Sequence, residues 1–523
     1  MFLKISLLVI FFAVMIGVGI YSRKTTSSVQ GFVLGGRKVG SWLTAFAFGT
    51  SYFSAVIFVG YAGQFGWKYG LASTWIGIGN ALLGSLLAWK VLGRRTRLMT
   101  QHLGSATMPD FFGRRFKSDT LKVIASLIVF VFLIPYTASL YNGLSRLFGM
   151  AFGFDYAWCV LGMAVLTGIY VLIGGYMATA INDFIQGMIM LVGICAVIVS
   201  VLKGNGGFTE AVNSLSQIPC ETAPDLHGAF VSFFGPQPLF LLGVVLLTSL
   251  GTWGLPQMVG KFYAIRDEAA IRKCTVISTI FAFIVAGGCY FLGGFGRLYS
   301  DVIEYTPAGK PIFDSIIPSM LSTLPDLMIG IVIILVLSAS MSTLSSLVLT
   351  SGSTLTLDII APACKNGMGE RAKLSTIRIL ILFFIAVSSV LAIVQAKSSV
   401  TFIAQLMGIS WGALAGAFLA PFLWGLYWKK TTPAAVACSF VAGVAIMSGC
   451  MICSFTGHEF ICPFLTSPIN AGVLAMLAGL VIVPVVSLFT KVRAADEVEE
   501  MFDCYKTKVL VKATDALTDG EEA

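Results

Sequence analysis

Charged residues are scarce in this sequence of 523 residues: only 11% are Asp, Glu, Lys or Arg, against about 25% in soluble domains. The chain has three histidines and contains no HExxH or P-loop pattern. It therefore lacks the usual signatures of a metallohydrolase and an ATP-driven pump. Apolar residues, in contrast, make up 57% of the chain, and a mean hydropathy of +0.89 excludes a soluble globular, disordered or fibrous protein.

Apolar runs of about 20 residues, the length that crosses a bilayer core, occur thirteen times in the sequence. They predict an all-α membrane protein with thirteen transmembrane helices, near 3–22, 41–64, 71–92, 121–147, 156–176, 182–203, 235–262, 274–296, 326–357, 375–396, 400–427, 434–454 and 468–490. Only Lys4 precedes the first run, whereas Arg23 and Lys24 follow it. We therefore interpret this run as a retained helix and not as a secretory signal peptide.

Basic residues are divided unevenly between the two sides that this topology defines. With the N-terminus outside, the inner segments hold 27 of the 34 basic residues. The outer side holds Lys4, Lys68, Arg146, Lys203, Arg297, Lys310 and Lys397. The positive-inside rule then predicts a multi-pass plasma membrane protein with a cytoplasmic C-terminus. Because orientation explains the basic surplus, we expect no nucleic acid partner, and the absence of an Asn-x-Ser/Thr sequon favours a bacterial inner membrane.

Two regions of different character follow from the spans. Residues 1–490 are predicted to form the transmembrane transporter domain, and residues 491–523 a short charged cytosolic tail. Nothing in the sequence indicates an obligate protein partner or an oligomeric state. Cys220 and Cys462 both fall in predicted outer loops, so the sequence leaves a disulfide between them open.

Two spans are interrupted by glycine or proline. The second reads GTSYFSAVIFVGYAG (49–63) and the seventh TSLGTWGLPQMVG (248–260). Gly tolerates unwinding and Pro removes a backbone donor, and backbone groups freed at membrane depth must line a cavity or be buried in protein. Each segment opens a set of five spans, one at about 41–203 and the other at about 235–427. Matching interruptions in two such sets indicate an inverted repeat with a binding site at the breaks.

The ninth predicted span is rich in hydroxyl groups, with eleven Ser or Thr residues between 338 and 358. Small polar residues also serve as ordinary contacts between membrane helices. Neutral oxygen atoms, however, suit a hard monovalent cation that must be able to leave again. The centres of the second and ninth spans hold no carboxylate, which argues against a divalent metal or a buried carboxylate proton relay there.

Three segments carry a resemblance to a known family. They are SMSTLSS…TLDI (340–359), GGYMATAINDFIQG (174–187) and APFLWGLYWKKTTPAAVACSFVAG (420–443). In their order and spacing along the chain they resemble the sodium/solute symporter family. This family includes the bacterial proline, sialic acid and galactose sodium symporters. The second segment departs from the pattern at Asn182 and the third at Pro433–Ala434.

The resemblance implies a fold and a set of sodium ligands. The fold is an inverted five-helix repeat with a leucine-transporter-like core and flanking helices. The coupling ion Na⁺ would be bound by the carbonyl oxygens of Thr50, Phe53 and Ala339 and by the hydroxyls of Ser342 and Thr343.

Further positions match other sites of the family. A second sodium position found in some relatives matches Ser54, Ser345 and Ser346, but another of its hydroxyl positions is occupied here by Ile57. Asp183 matches an acidic residue that assists ion release, with a solvated or helix-capping carboxylate as the alternative.

The solute is expected between the two breaks and spans four and eleven. The candidate residues are Ser51, Ser54, Ile57, Tyr136, Ser139, Thr252, Trp253 and Gln405. They include no paired charges, which favours a small neutral or zwitterionic organic solute and leaves sugar, amino acid and carboxylate open.

The sequence thus predicts a secondary active transporter for sodium-coupled symport by alternating access, and not an enzyme. A proton-coupled transporter of the same fold and a channel or sensor module remain as alternatives.

Overall fold

The computed structural model describes residues 2–23, 27–153, 155–365, 367–396, 403–492 and 495–506, and this part of the chain is almost entirely helical. The α-helices are α1 (Phe2–Tyr21), α2 (Val29–Leu34), α3 (Ser41–Tyr52), α4 (Ala62–Tyr69), α5 (Thr74–Gly79), α6 (Arg94–His102), α7 (Met108–Arg115), α8 (Asp119–Phe152), α9 (Tyr156–Gly204), α10 (Phe208–Ser216), α11 (Pro238–Leu250), α12 (Pro256–Ala264), α13 (Glu268–Gly293), α14 (Phe313–Ser322), α15 (Asp326–Leu355), α16 (Ala361–Ala363), α17 (Glu370–Ala396), α18 (Ile403–Tyr427), α19 (Pro433–Thr456), α20 (Pro468–Phe489) and α21 (Ala495–Asp503). The described ranges contain no strand, only isolated bridges from Val39 to Ile265 and from Tyr305 to Pro311.

Long apolar helices dominate the fold, as the composition predicts. The described part of the chain holds ten helical segments that are long and apolar enough to cross a membrane, or eleven if the bent pair Pro238–Gly254 and Pro256–Ala264 is one span. The predicted all-helical membrane class is confirmed, whereas the number thirteen is not established by this measure.

Two of these ten segments are about twice as long as a bilayer requires. Val56–His102 has 47 residues and Tyr156–Gly204 has 49, whereas about 20 residues cross the hydrocarbon core. Each contains one glycine with a positive φ, Gly70 (φ 60°, ψ −140°) and Gly175 (φ 54°, ψ −148°). This conformation is unfavourable for residues with a Cβ atom, so glycine at these positions lets both segments turn.

Basic side chains gather at one end of the helix bundle, which we call the basic end. It is defined by Arg37, Arg95, Arg97 and Arg115. Their guanidinium groups are wholly or partly buried and donate to main-chain carbonyls of neighbouring segments. Arg97, for example, donates to Ile265 (2.6 Å) and Arg115 to Gly425 (3.0 Å). The basic residues that the sequence assigned to separate inner loops thus share one face.

The beginning of the predicted tail is attached to the basic end. The turn that follows α21 carries Tyr505, and the hydroxyl of this residue donates to the carbonyl of Leu426 (2.8 Å). The Arg95 guanidinium lies 3.9 Å from the ring centroid of Tyr427 and 4.6 Å from that of Tyr505. Residues 507–523 of the tail lie outside the described residues.

The interior of the bundle is built around α15, which packs against α1, α3, α8, α9 and α17. Its hydroxyl-rich stretch is therefore enclosed by protein instead of lipid. Cys220 and Cys462, whose pairing the sequence left open, are both free thiols. Cys220 packs in a small apolar cluster that includes Leu215 and Phe230.

One interhelical contact depends on the absence of a side chain. A Cβ atom added to Gly66 of α4 would lie 2.0 Å from the carbonyl oxygen of Gly293 in α13. We expect Gly66→Ala to lower the free energy of unfolding by about 1–3 kcal/mol, because two backbones would have to separate. The thermal unfolding midpoint of the detergent-purified protein measures this. Gly162→Ala is the matched control, since its Cβ would meet nothing within 4 Å, and equal midpoints for the two variants would contradict the expectation.

Candidate functional site

The first broken helix changes direction at Phe53. α3 ends before this residue, which is extended (φ −89°, ψ 119°), and a π-helical stretch begins at Val56. The Ser54 hydroxyl accepts from the Val56 amide (3.3 Å), and the Ser340 hydroxyl of α15 accepts from the Ala55 amide (3.1 Å). Side chains thus satisfy the amides at the new helix start, while carbonyl groups at the end of α3 are left for other partners.

The glycines of this segment serve helix packing, whereas the sequence suggested that they unwind the helix. A Cβ atom added to Gly49 would lie 2.5 Å from the ring of Phe281, and one added to Gly60 would lie 2.7 Å from Ile403. Both glycines permit close helix packing, whereas the break itself is at Phe53 and Ser54.

The second broken helix has the same local geometry. After α11, a 3₁₀ turn covers Gly251–Gly254, Leu255 is extended (φ −88°, ψ 119°), and α12 begins at Pro256. The proline disfavours a helical conformation of the preceding residue, so here the sequence fixes the place of the break. The two helical parts meet at 49°. The backbone angles of Leu255 and Phe53 agree within a degree.

Five oxygen atoms meet where the first break contacts α15, and we call them the five-oxygen cluster. They are the carbonyl oxygens of Thr50, Phe53 and Ala339 and the hydroxyl oxygens of Ser342 and Thr343. The Ser342 hydroxyl lies 3.1 Å from the Thr50 oxygen and 2.9 Å from the Ala339 oxygen. The Thr343 hydroxyl lies 3.2 Å from each of the three carbonyl oxygens. All five residues are buried.

The cluster has too few hydrogen atoms for its contacts. Five oxygen–oxygen contacts of 2.9–3.2 Å involve only two hydroxyl groups, each of which can donate one hydrogen. The other three contacts bring lone pairs together in a buried place, and a positive charge between them would relieve this repulsion. The donor set, neutral oxygen only, fits a hard monovalent cation. The structure therefore brings together all five residues that the resemblance suggested as sodium ligands.

The three hydroxyls suggested for a second sodium have different hydrogen-bond partners in this structure. Ser54 is engaged with the Val56 amide, and Ser345 donates to the Ser342 carbonyl (2.9 Å). Ser346 instead lies 3.0 Å from the Ser51 hydroxyl. Among the described hydrogen bonds, none joins Ser54 to Ser345 or Ser346.

Asp183, the residue suggested for ion release, is buried and paired with a lysine. Its carboxylate lies 3.6 Å from the ammonium of Lys261, and the two side chains are 1% and 3% exposed. The same ammonium donates to the Ser346 hydroxyl (3.1 Å) and lies 5.1 Å from the ring centroid of Tyr176. Asp183 is thus neither a solvated loop acid nor a helix cap.

Two of the suggested solute residues lie together in the interior. Tyr136 and Ser139 of α8 are both fully buried, and the Tyr136 ring packs edge-on against Trp411 of α18 with 5.9 Å between centroids. The side chains of Ser54 and Trp411 are the polar neighbours of the Tyr136 hydroxyl, and a polar solute could contact this buried group. Ile57 on the first broken helix is also fully buried.

Three other residues suggested to bind the solute either contact neighbouring backbone or are exposed. Thr252 donates to the carbonyl of Ser249 (2.8 Å), and the Trp253 indole donates to that of Leu83 (3.1 Å), so both are held against neighbouring backbone. Gln405 on α18 is exposed. The structure does not bring these three side chains to Tyr136 through any described hydrogen bond.

Sequence reasoning missed two residues of this region. Trp411 looked like one more apolar residue of its span, and only the packing of α18 on α8 identifies it. Lys261 was counted among the basic residues of the inner side, although it lies inside an apolar segment. A charged residue within a predicted membrane helix is a recognised pointer to function, so that signal was present in the sequence.

The cavities near the site open toward the basic end. A small one of about 50 Å³ is lined by Lys261, Ser346 and Tyr176, among others, which is room for only a few water molecules. A larger one of about 1080 Å³ shares Leu34 and Ala106 with it. The solute candidates of α8, in contrast, are enclosed by protein.

Comparison with known sequences gives one family. A model of the sodium:solute symporter family matches residues 32–443. Sodium/proline symporters from several strains of Staphylococcus aureus, including JH9 and JH1, are 30% identical to this chain over 457 residues, which is 84% of this chain and 84% of theirs.

Comparison with solved structures shows a shared fold. A Na⁺-coupled sialic acid symporter in a substrate-bound, outward-open state superimposes with a TM-score of 0.72 at 17% identity, covering 94% of this chain and 98% of the other. A mutant manganese transporter from Eremococcus coleocola gives a TM-score of 0.50 at 12% identity, covering 91% and 96%.

Proposed function

The chain belongs to the sodium:solute symporter family, and from that premise we propose that it carries a small organic solute together with sodium by alternating access. The family and the curated relatives are transporters and not enzymes. With its apolar helices the chain is a multi-pass membrane protein. The observation that carries the proposal is the five-oxygen cluster, which lies at a helix break and lacks the hydrogen atoms to satisfy its own contacts.

We propose that the cluster binds the coupling sodium ion. Two carbonyl groups come from the first broken helix, and three ligands come from α15. An ion at this place holds the two elements together, and its departure lets them separate. Because none of the five ligands carries a charge, the ion is held weakly enough to be released on the low-sodium side.

We propose thirteen spans and an inverted repeat for the transporter. Splitting Tyr156–Gly204 at Gly175 gives two segments of ordinary transmembrane length. Splitting Val56–His102 at Gly70 gives a third, and its first part, which ends at Tyr69, completes the broken span that begins at Ser41. The equal backbone angles of Phe53 and Leu255 support a correspondence between the sets at about 41–203 and 235–427. Residues 1–490 then form the transporter domain and 491–523 the tail. The basic end is assigned to the cytoplasm and the N-terminus to the outside.

Alternating access is supported by the positions of the two cavities and by the burial of the solute candidates on α8. Both cavities near the site lie toward the basic end, whereas Tyr136 and Ser139 are fully buried. We infer a conformation that is closed to the outside and partly open to the cytoplasm. The outside-facing conformation would expose the same residues after the broken helices tilt the other way.

The solute is proposed to bind near Tyr136 and Trp411. The hydroxyl of Tyr136 and the aromatic faces suit a compact molecule with a polar group and an apolar surface. The similarity to sodium/proline symporters makes a zwitterionic amino acid the first solute to test, followed by sugars and small carboxylates.

A proton-coupled carrier is the second candidate because of one observation. Lys261, which forms a buried titratable pair with Asp183, contacts Ser346, and Ser346 follows the five-oxygen cluster by one helical turn. The sequence alone placed no titratable group near Ser342. The two candidates differ in which gradient drives uptake.

Uptake into proteoliposomes tests the proposal. With an inward sodium gradient we expect accumulation at least about tenfold above that with an equal potassium gradient, since one charge crossing 100 mV corresponds to about 2.3 kcal/mol. A panel of amino acids, sugars and carboxylates is to be tested with sodium, potassium and proton gradients. Uptake that is the same in sodium and potassium would contradict sodium coupling. Uptake driven by a proton gradient without sodium would favour the second candidate.

A further inference from the structure

Among the described residues, Lys261 is the one charged residue that lines the small cavity beside the cluster. It belongs to α12, the second half of the second broken helix, and its side chain is only 3% exposed. A lysine ammonium in such a place is costly unless it is paired and hydrogen-bonded. The groups around the Lys261 ammonium therefore have to pair with its charge and accept its hydrogen bonds.

Three groups surround the ammonium. The Asp183 carboxylate of α9 lies at 3.6 Å, the Ser346 hydroxyl of α15 at 3.1 Å, and the ring centroid of Tyr176, also on α9, at 5.1 Å. The Ser51 hydroxyl of α3 lies 3.0 Å from that of Ser346. Two hydroxyls and a carboxylate from three helices thus form an oxygen-rich pocket that already contains a positive charge.

The Asp183 carboxylate has little other compensation. Neither of its oxygen atoms has a hydrogen-bond partner among the described residues, so the ion pair with Lys261 is its main stabilising contact. Without the lysine, the pocket would be a buried carboxylate with two hydroxyls nearby. Such a donor set would attract a free cation.

We propose that the ammonium of Lys261 is a tethered cation that takes the place of a second sodium ion in the Asp183–Ser346–Ser51 pocket. The carrier then binds one exchangeable sodium ion, at the five-oxygen cluster, because the second positive charge is covalently attached and cannot leave. This inference rests on the proposed function. It explains why Ser346 faces a lysine here and why Asp183 is not free to receive a departing ion.

The number of sodium ions bound per chain tests the inference. Binding of ²²Na⁺ to the purified full-length protein is to be measured at saturation without any solute. We expect about one ion per chain for the unmodified protein and about twice that for Lys261→Ala, because the vacated carboxylate and hydroxyls would accept sodium. Lys261→Arg keeps a tethered cation and should remain at about one. Asp183→Asn combined with Lys261→Ala removes the attracting charge and should also give about one.

The outcomes separate the inference from the proposed function. Two ions on the unmodified protein, or no increase in a monodisperse Lys261→Ala protein, would overturn the inference and leave sodium coupling intact. No bound sodium on the unmodified protein would overturn the proposed function itself. If Lys261→Ala does not fold, Ser346→Ala decides: we expect stoichiometry and affinity unchanged from the unmodified protein. Loss of the bound ion, or a clearly weaker affinity, would identify Ser346 as a ligand of the exchangeable sodium ion and overturn the inference.

Discussion

Removing both hydroxyls of the five-oxygen cluster, as in Ser342→Ala combined with Thr343→Ala, is expected to raise the sodium concentration for half-maximal uptake about a hundredfold. An interaction with a charged group contributes about 1.5–3 kcal/mol, so two lost ligands correspond to about 3 kcal/mol or more, and 1.4 kcal/mol is about a factor of ten. The three carbonyl ligands stay in place, which is why some sodium activation should persist at high concentration. Initial uptake rates as a function of sodium concentration in proteoliposomes give the measurement.

The same helix provides a matched control for this double substitution. Ser353 and Thr356 are buried and donate within the helix, to Leu349 (2.6 Å) and Gly352 (2.9 Å). Ser353→Ala with Thr356→Ala should therefore leave the sodium dependence nearly unchanged. If the two double variants show the same sodium dependence, the cluster is not the ion site.

Asp183→Asn is expected to lower the free energy of unfolding by about 3–5 kcal/mol, because it leaves the Lys261 ammonium buried without its counter-charge. The effect should be visible as a lower thermal unfolding midpoint in detergent. Lys261→Ala should also destabilise the protein, because it leaves the Asp183 carboxylate buried without its counter-charge. Because sodium can then pair with the carboxylate, sodium chloride should restore part of the stability of Lys261→Ala and none of that of Asp183→Asn.

A double-mutant cycle provides the control for the second prediction. Asp183→Asn combined with Lys261→Met removes both charges, and its stability should be much closer to that of the unmodified protein than either single change. The exposed pair Lys506 and Asp503 serves as the surface comparison, where Asp503→Asn should have no measurable effect. Additive losses at the buried pair would show that the two charges do not stabilise each other.

The two helix breaks differ in how far the sequence predicts them. Pro256 restricts the residue before it, so the extended Leu255 follows from local chemistry. The extended Phe53 lies between Tyr52 and Ser54 and has neither glycine nor proline beside it. Its position depends on Ser340 of α15, which accepts from the amide at the new helix start, and that contact crosses 285 residues of sequence. A distant partner is invisible to a local pattern.

The sequence by itself determined the apolar helical class, because the bilayer sets the length and composition of each span. It also determined the family resemblance and the hydroxyl-rich face of α15. Only the tertiary structure decided which oxygen atoms meet, since Thr50 and Ser342 are 292 residues apart and carbonyl ligands have no side-chain signature. It also decided that Lys261 pairs with Asp183 in the interior instead of belonging to a cytoplasmic loop. The physical reason is that a buried charge is tolerable only where folding brings its partner, and no local stretch of sequence contains both.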